Sequence, residues 1–119
     1  MTNPNGGLFP VRTALLMLLG AAMLLGANLG GYGVWAPDEP RFAQVAREMM
    51  LRGNYLVPQV NGEDYLEKPP LLFWAIAAFS QLTGDVTPLT ARIPSWLGGV
   101  MTLVLTWMLA WRMFGARVA

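Results

Sequence analysis

The sequence predicts an all-α membrane protein, and two observations carry that prediction. Of its 119 residues, 55% are hydrophobic and 13% are charged, whereas a soluble domain averages roughly 25% charged residues. Six of the seven acidic residues fall within residues 36–70, between long apolar runs. We therefore expect lipid to cover the apolar runs and the polar chemistry to lie in the hydrophilic segment, at the water interface.

Composition also excludes several kinds of chemistry. The chain has no cysteine, so it forms no disulfide and carries no thiol nucleophile. It has no histidine, so a metal site within it would use carboxylates, backbone oxygens and water. That leaves a divalent metal open and predicts no certain cofactor. A net charge of +1 argues against a nucleic-acid partner.

The first apolar run predicts a membrane span over residues 14–35, after a polar tail over residues 1–12. The run contains no charged residue, and at ~1.5 Å per residue it covers about 33 Å, enough for a hydrocarbon core of ~30 Å. Tyr32 and Trp35 stand where interfacial aromatic residues are typical. A cleaved signal peptide is the competing interpretation, but its apolar region runs to ~15 residues, and no small-x-small site follows here.

The hydrophilic segment, residues 36–69, predicts an amphipathic helix over residues 40–52. Pro40 suits a first helical turn, either acidic residue before it can cap the helix, and Gly53 can end it. Apolar residues recur with helical spacing at Phe42, Val45, Ala46, Met49 and Met50. The opposite face carries Arg41, Gln44, Arg47, Glu48 and Arg52, of which the last two can pair at i, i+4. Such a helix lies on the membrane surface, roofs the spans or packs on a neighbouring element.

The remainder predicts a tight turn and two further spans. Asn61-Gly62 is a two-residue hairpin signal. Pro69-Pro70 opens an apolar run over residues 70–82, which we expect to be the second span although it is short and also fits a buried or re-entrant helix. Residues 89–114 form a longer run and the third predicted span.

Two charged clusters carry the candidate chemistry. Asp38-Glu39-Pro40-Arg41 follows the first span, and a carboxylate at a helix N-terminus is favoured in its ionised form, in which it can hold a metal or accept a proton. Glu67-Lys68-Pro69-Pro70 precedes the second span, where a lysine can snorkel and bind a lipid phosphate. The simpler interpretations are a helix cap and a basic membrane anchor.

As a set, these motifs resemble the N-terminal part of bacterial family 39 glycosyltransferases. The similar stretches are Ala-Pro-Asp-Glu-Pro-Arg-Phe-Ala, Ala-Arg-Glu-Met, Gly-Asn-Tyr-Leu-Val-Pro, Tyr-Leu-Glu-Lys-Pro-Pro-Leu and Ala-Arg-Ile-Pro-Ser, in this order. The family includes aminoarabinose transferases that modify lipid A and relatives of protein O-mannosyltransferases. The resemblance implies a GT-C multi-span fold in the bacterial inner membrane, here with about three transmembrane helices and an extracytoplasmic amphipathic helix.

The resemblance also implies an inverting sugar transfer from a polyprenyl-phosphate donor to lipid A, protein or another glycan. Asp38 matches the family's catalytic aspartate, and Glu39, its acidic neighbour, is assigned as the second catalytic residue. Lys68 matches a lysine that contacts the lipid phosphate, Glu67 is the supporting carboxylate before it, and we assign Arg41 to the phosphate as well. The resemblance places the hydrophilic segment outside the cytoplasm, whereas its arginines would place it inside by the positive-inside rule.

Members of this family continue through many more helices and a soluble C-terminal domain, so we expect the 119 residues to be truncated relative to them. The alternative is a small non-catalytic membrane protein, or an inactive fragment, that binds lipid phosphate or partner helices. A reading frame that continues in a family-like way past codon 119 would favour the enzyme.

Overall fold

The computed structural model describes residues 8–35 and 37–114, with the backbone alone for residues 8–10. The elements in chain order are α1 (Leu8–Gly26), α2 (Asp38–Arg52), β1 (Gln59–Val60), β2 (Glu63–Asp64), α3 (Leu71–Ser80) and α4 (Pro88–Phe114). The predicted helical class is therefore confirmed. The chain divides into two compact units: Asn28–Ser95, here called the charged unit, and the residues on either side of it, here called the apolar unit.

α1 begins and ends earlier than the span predicted over residues 14–35. Residues 8–12, which were expected in the polar tail, are helical, and residues 1–7 of that tail lie outside the described residues. The helix ends at Gly26, and Asn28 then adopts a left-handed φ of 62°. Three further glycines follow shortly, and glycine disfavours a continued helix because its backbone entropy is high.

α2 confirms the predicted amphipathic helix but starts at Asp38 rather than at residue 40. Pro37 occupies the cap position and forms no side-chain cap, so the two acidic residues lie in the first turn instead of capping it. Gly53, with a φ of 65°, ends the helix as predicted. The predicted apolar face is turned inward, and it consists of Phe42, Val45, Ala46, Met49 and Met50.

The predicted hairpin is also confirmed. β1 and β2 pair in antiparallel fashion, with Val60 opposite Glu63. The two residues between the strands, Asn61 and Gly62, have φ values of 54° and 85°. Positive φ at both central positions is the signature of a type I′ turn, whose twist matches that of the strands it joins.

Glu48 joins this hairpin to α2 and corrects the expected polar face. We predicted a solvent-facing carboxylate, but Glu48 is buried because the hairpin turn covers it. It accepts hydrogen bonds from the backbone N–H of Asn61 (2.6 Å) and Gly62 (3.3 Å) and from Gln44 Nε2 (3.1 Å). The predicted pair with Arg52 is present at 3.4 Å. Burial alone would raise the pKa of Glu48, but these hydrogen bonds and the Arg52 charge outweigh it and lower the pKa.

The core of the charged unit forms where α2 packs on α3. Phe73 is fully buried, with its ring centroid 5.8 Å from that of Phe42 and 5.9 Å from that of Tyr65. α3 has ten residues, which at ~1.5 Å each cover about 15 Å, half of a hydrocarbon core. The structure therefore does not confirm the span predicted over residues 70–82, and the alternative of a buried helix fits it.

α4 matches the span predicted over residues 89–114 within one residue at its start. Among the described residues it is the one helix both long and apolar enough to cross a membrane, and none of its most apolar stretch is buried. Val11–Gly26 and Leu71–Ser80 are shorter apolar helices. The predicted total of three spans is therefore not confirmed.

Candidate active site

The first predicted cluster lines a cavity of about 180 Å³ in the charged unit. Asp38 and Glu39 contribute its acidic wall, and the other lining residues are Phe42, Leu72, Ile76, Ala91, Arg92 and Ser95. Pockets that enclose whole ligands usually measure ~300–1,000 Å³. This cavity can therefore hold a part of a larger ligand, with one open carboxylate in its wall.

Asp38 is that open carboxylate. It lies exposed in the first turn of α2 and forms no ion pair with any described residue. A carboxylate without an internal partner can accept the proton of a ligand hydroxyl or orient that hydroxyl. The structure thus leaves the predicted catalytic aspartate available for a reactant.

Glu39 is held very differently, although it is the next residue. Its two oxygens accept a two-pronged contact from Arg92, with Nε to Oε1 at 3.0 Å and Nη2 to Oε2 at 2.8 Å. Oε2 also accepts the backbone N–H of Trp35 at 2.7 Å. The Arg92 hydrogen bonds lower the pKa of Glu39; burial opposes them, and the Trp35 N–H and the Arg92 charge reinforce them. Glu39, which we predicted as a catalytic residue beside Asp38, is therefore engaged in an ion pair with Arg92.

Arg92 is the residue that sequence reasoning missed. Only 8% exposed, it also donates to the carbonyls of Leu29 (2.7 Å), Tyr32 (3.0 Å) and Gly33 (2.8 Å), so all five of its N–H groups have acceptors. Its guanidinium carbon lies 4.0 Å from the centroid of the Tyr32 ring, over its face. The sequence contained a signal for this residue, because an arginine in the first turns of an apolar helix needs a partner.

The second predicted cluster lies in an exposed stretch. Glu67 Oε2 is 4.0 Å from Arg41 Nη1. The pKa of Arg41 is raised, chiefly by its interaction with Tyr65 and further by the charges of Glu67 and Asp38. Arg41 therefore lies within electrostatic reach of both predicted clusters.

Lys68 is exposed, and no carboxylate within the described residues pairs with it. The four arginines of the charged unit all have carboxylate partners: Arg41–Glu67, Arg47–Asp85, Arg52–Glu48 and Arg92–Glu39. Lys68 is thus the unit's available cation. Across the part of the chain that the structure describes, no group of three acidic side chains is placed to hold a metal ion.

Comparison with known proteins shows what this chain is similar to. A family model described as dolichyl-phosphate-mannose-protein mannosyltransferase matches residues 67–119. The crystal structure of ArnT from Cupriavidus metallidurans bound to undecaprenyl phosphate superposes with a TM-score of 0.77 at 30% identity, over 87% of this chain and 19% of that one. The chain is similar to the N-terminal part of a family 39 glycosyltransferase.

Proteins that are similar to this chain in sequence occur in several bacteria. An undecaprenyl phosphate-alpha-4-amino-4-deoxy-L-arabinose arabinosyl transferase of Pseudomonas savastanoi pv. phaseolicola is 39% identical over 95 residues, covering 78% of this chain and 18% of the relative. A protein of Aquifex aeolicus without an assigned activity is 39% identical over 107 residues, covering 90% of this chain and 21% of the relative. The chain thus spans about a fifth of the length of the proteins it matches.

Proposed function

We propose that this chain forms the catalytic-base and phosphate-contact part of an inner-membrane glycosyltransferase. The enzyme transfers a sugar from a polyprenyl-phosphate donor to lipid A, with protein or another glycan as the other acceptor classes. The observation that carries the proposal is the pairing pattern in the cavity: Glu39 is neutralised by Arg92, whereas Asp38 beside it is unpaired. The names of the relatives, which specify undecaprenyl phosphate and aminoarabinose, support the donor class.

The reaction is a displacement at the anomeric carbon of the donor sugar. The acceptor hydroxyl oxygen forms the new bond to that carbon, while the bond from the carbon to the phosphate oxygen breaks. The electron pair leaves with the polyprenyl phosphate, and the hydroxyl proton passes to Asp38. Attack from the face opposite the leaving phosphate inverts the configuration of the sugar.

Lys68 is assigned to the charge that develops on the leaving phosphate. A fixed cation there stabilises the transition state more than the ground state, because negative charge builds up as the bond breaks. Lys68 can serve since no described carboxylate neutralises it. Arg41 is assigned to the phosphate as a second cation, with Glu67, which lies 4.0 Å from it, as the supporting carboxylate.

The proposed topology has α1 and α4 as the crossings of this segment, with α2, the hairpin and α3 together outside the cytoplasm. The length of α3 and its burial against α2 support this arrangement over the three crossings expected from the sequence. Both ends of the chain then lie on the cytoplasmic side. Those ends contribute Arg12, Arg112 and Arg117, whereas the charged unit contains four arginines and one lysine, so the count of positive residues alone opposes this orientation.

The ion pairs bear on the conflict that the arginine distribution posed. Every arginine of the charged unit has a carboxylate partner in the same unit, which supports a role for these arginines within the protein beyond setting its topology. All seven acidic residues lie in that unit, against four arginines and one lysine. Because the rule counts lysines and arginines and not net charge, the support for the extracytoplasmic side comes from the family resemblance.

The decisive experiment replaces Asp38 in the full-length enzyme that contains this segment. Asp38→Asn keeps the size of the side chain and removes the proton-accepting carboxylate, so sugar transfer should fall by roughly 100-fold or more. Initial rates are measured with a defined polyprenyl-phosphate aminoarabinose donor and lipid A. Glu63→Gln is the matched control, because Glu63 is an exposed, unpaired carboxylate of the same unit, and it should keep the normal rate. Normal transfer by Asp38→Asn would reject Asp38 as the base.

The phosphate assignment has its own test. Lys68→Ala should weaken donor binding by about 1.5–3 kcal/mol, the range of a hydrogen bond to a charged group. Lys68→Arg should restore a part of it, because a planar guanidinium differs in reach from a compact ammonium. Binding of undecaprenyl phosphate to the purified enzyme measures both. Unchanged affinity in both variants would make Lys68 a membrane anchor, and absence of transfer from any polyprenyl-phosphate donor by the unmodified enzyme would favour the non-catalytic alternative.

A further inference from the structure

Arg92 gathers three stretches of chain that are distant in sequence. Its guanidinium is carried by the second turn of α4, its carboxylate partner Glu39 lies in the first turn of α2, and its three carbonyl partners lie between Leu29 and Gly33. No donor of the guanidinium is left for water or lipid. A side chain that serves only as a membrane anchor keeps its charged end in water, so this arrangement calls for another explanation.

The gathered stretches enclose the catalytic turn on both sides. The last carbonyl bound by Arg92 belongs to Gly33, a few residues before Asp38, and the carboxylate it binds belongs to the residue directly after Asp38. The hydrogen bond from the Trp35 N–H to Glu39 Oε2 ties the two sides to each other. Asp38 itself has no such tie, so its position depends on the backbone that Arg92 holds.

Arg47 makes a similar two-pronged contact in the charged unit but does not line the cavity beside Asp38. Arg47 donates to both oxygens of Asp85 (2.8 and 3.2 Å) and to the carbonyl of Val86 (2.8 Å), which is similar chemistry. Arg47 does not line the Asp38 cavity, whereas Arg92 and Glu39 both line it. The two arginines therefore separate a fold-stabilising role from a role at the site.

We infer that Arg92 is a positioning residue of the transferase: by binding Glu39 and the 29–33 carbonyls, it fixes the turn that presents Asp38 to the acceptor hydroxyl. The inference rests on the proposed function of Asp38 as the base. Arg92 acts through Asp38 and touches no reacting atom. Displacement of a reacting group by ~1 Å can cost about 100-fold in rate, so the loss of this support is measurable.

The test is a double-mutant cycle in the full-length enzyme. Arg92→Lys keeps the charge but loses the fork and at least two of the five donors, so kcat should fall by roughly 10- to 100-fold while KM for the donor changes little. In the Asp38→Asn background the same substitution should lower kcat by less than about threefold, because no base remains to be misplaced. A support of the whole fold would lower kcat equally in both backgrounds.

Two further variants keep the inference testable if Arg92→Lys disturbs folding. Glu39→Gln preserves the carbonyl contacts of Arg92 and removes one charged acceptor, so it should show the same dependence on Asp38 with a smaller fall in kcat. Arg47→Lys is the matched control and should leave kcat unchanged in either background. Equal effects of Arg92→Lys and Glu39→Gln with and without the Asp38 carboxylate would overturn the inference while leaving the base assignment intact. A normal rate for Asp38→Asn alone would instead reject the proposed function.

Discussion

α3 and α4 have similar compositions and opposite environments. Both are apolar helices that begin next to proline, and neither contains an acidic residue. Four of the ten residues of α3 are buried, and they face α2 and the start of α4: Phe73, Ile76, Ala77 and Ser80. In α4, by contrast, leucine and methionine side chains remain exposed along most of its length, at Leu97, Met101, Leu105, Met108, Leu109 and Met113.

The difference indicates that a helix can be apolar because protein covers it as well as because lipid does. α3 is apolar because protein covers it, and polar bonds fix both its ends: Trp74 Nε1 donates to the carbonyl of Tyr55 (2.6 Å), and Ser80 Oγ donates to Thr90 Oγ1 (2.9 Å). α4 is apolar where no other described residue buries it, which is the pattern that lipid contact requires. Length and burial together separate the two cases.

The largest expected effect is an all-or-none difference in labelling between the two residues that flank α3 and a residue beyond α4. The chain has no cysteine, and Leu56 and Leu82, before and after α3, are 84% and 85% exposed. With α3 outside the membrane, Leu56→Cys and Leu82→Cys should both react with an impermeant maleimide on intact cells. Ala116→Cys should react only after lysis. If exactly one of the two leucine positions reacts before lysis, α3 is a crossing after all.

The next effect compares the same substitution in the two helices. Phe73→Ala should destabilise the chain by about 3–5 kcal/mol, because it empties a fully packed position against α2. Phe114→Ala in α4 should change stability by less than about 0.5 kcal/mol, since that ring is 62% exposed. Denaturant unfolding of the full chain in detergent measures both. Equal losses would mean that α3 and α4 are packed alike.

A smaller effect concerns the support that α2 and the hairpin give to α3. Glu48→Gln should destabilise the charged unit by about 1.5–3 kcal/mol, because charged hydrogen bonds to Asn61 and Gly62 are lost. The pKa of Glu48 is lower in the folded protein than its ordinary value of 4.5. Its contribution is therefore complete above about pH 5 and is lost as pH falls through the lowered pKa.

Hydrogen exchange resolves this pH effect by helix. Acidification below about pH 4.5 should lower the protection factors of α2 and α3 amides, which are corrected for the intrinsic pH dependence of exchange, and leave those in the apolar half of α4 unchanged. In Glu48→Gln the acid-dependent part should shrink, although Glu39 and Asp85 also have lowered pKa values and contribute to it. An identical pH response in the variant would remove Glu48 from the support of α3.

Local patterns accounted for the features that the sequence predicted well. The apolar face of α2, the Glu48–Arg52 pair and the Asn61-Gly62 turn depend on residues close in the chain, and each was predicted. The family resemblance also singled out Asp38, whose unpaired state the structure adds. The face, the pair and the turn follow from spacing or turn chemistry alone, whereas Asp38 was identified through the resemblance.

Features that depend on distant residues were not predictable in the same way. Glu39 and Arg92 are 53 positions apart, and nothing local to either indicates the other. Glu48 was assigned to solvent because helical periodicity does not reveal that a hairpin turn covers that position. α3 was assigned to the membrane because its composition reflects burial without saying whether protein or lipid provides it.

The Glu39–Arg92 pair also has a consequence for the order of events during synthesis. At ~5–20 residues per second, roughly 3–10 s separate the appearance of the carboxylate from that of the guanidinium 53 residues later. Throughout that interval the nascent loop carries two neighbouring carboxylates, Asp38 and Glu39, with no Arg92 to distinguish them. The turn that carries Asp38 is therefore completed only when the first turns of α4 arrive, and the ribosome must translate past Arg92 before this turn can acquire its folded shape.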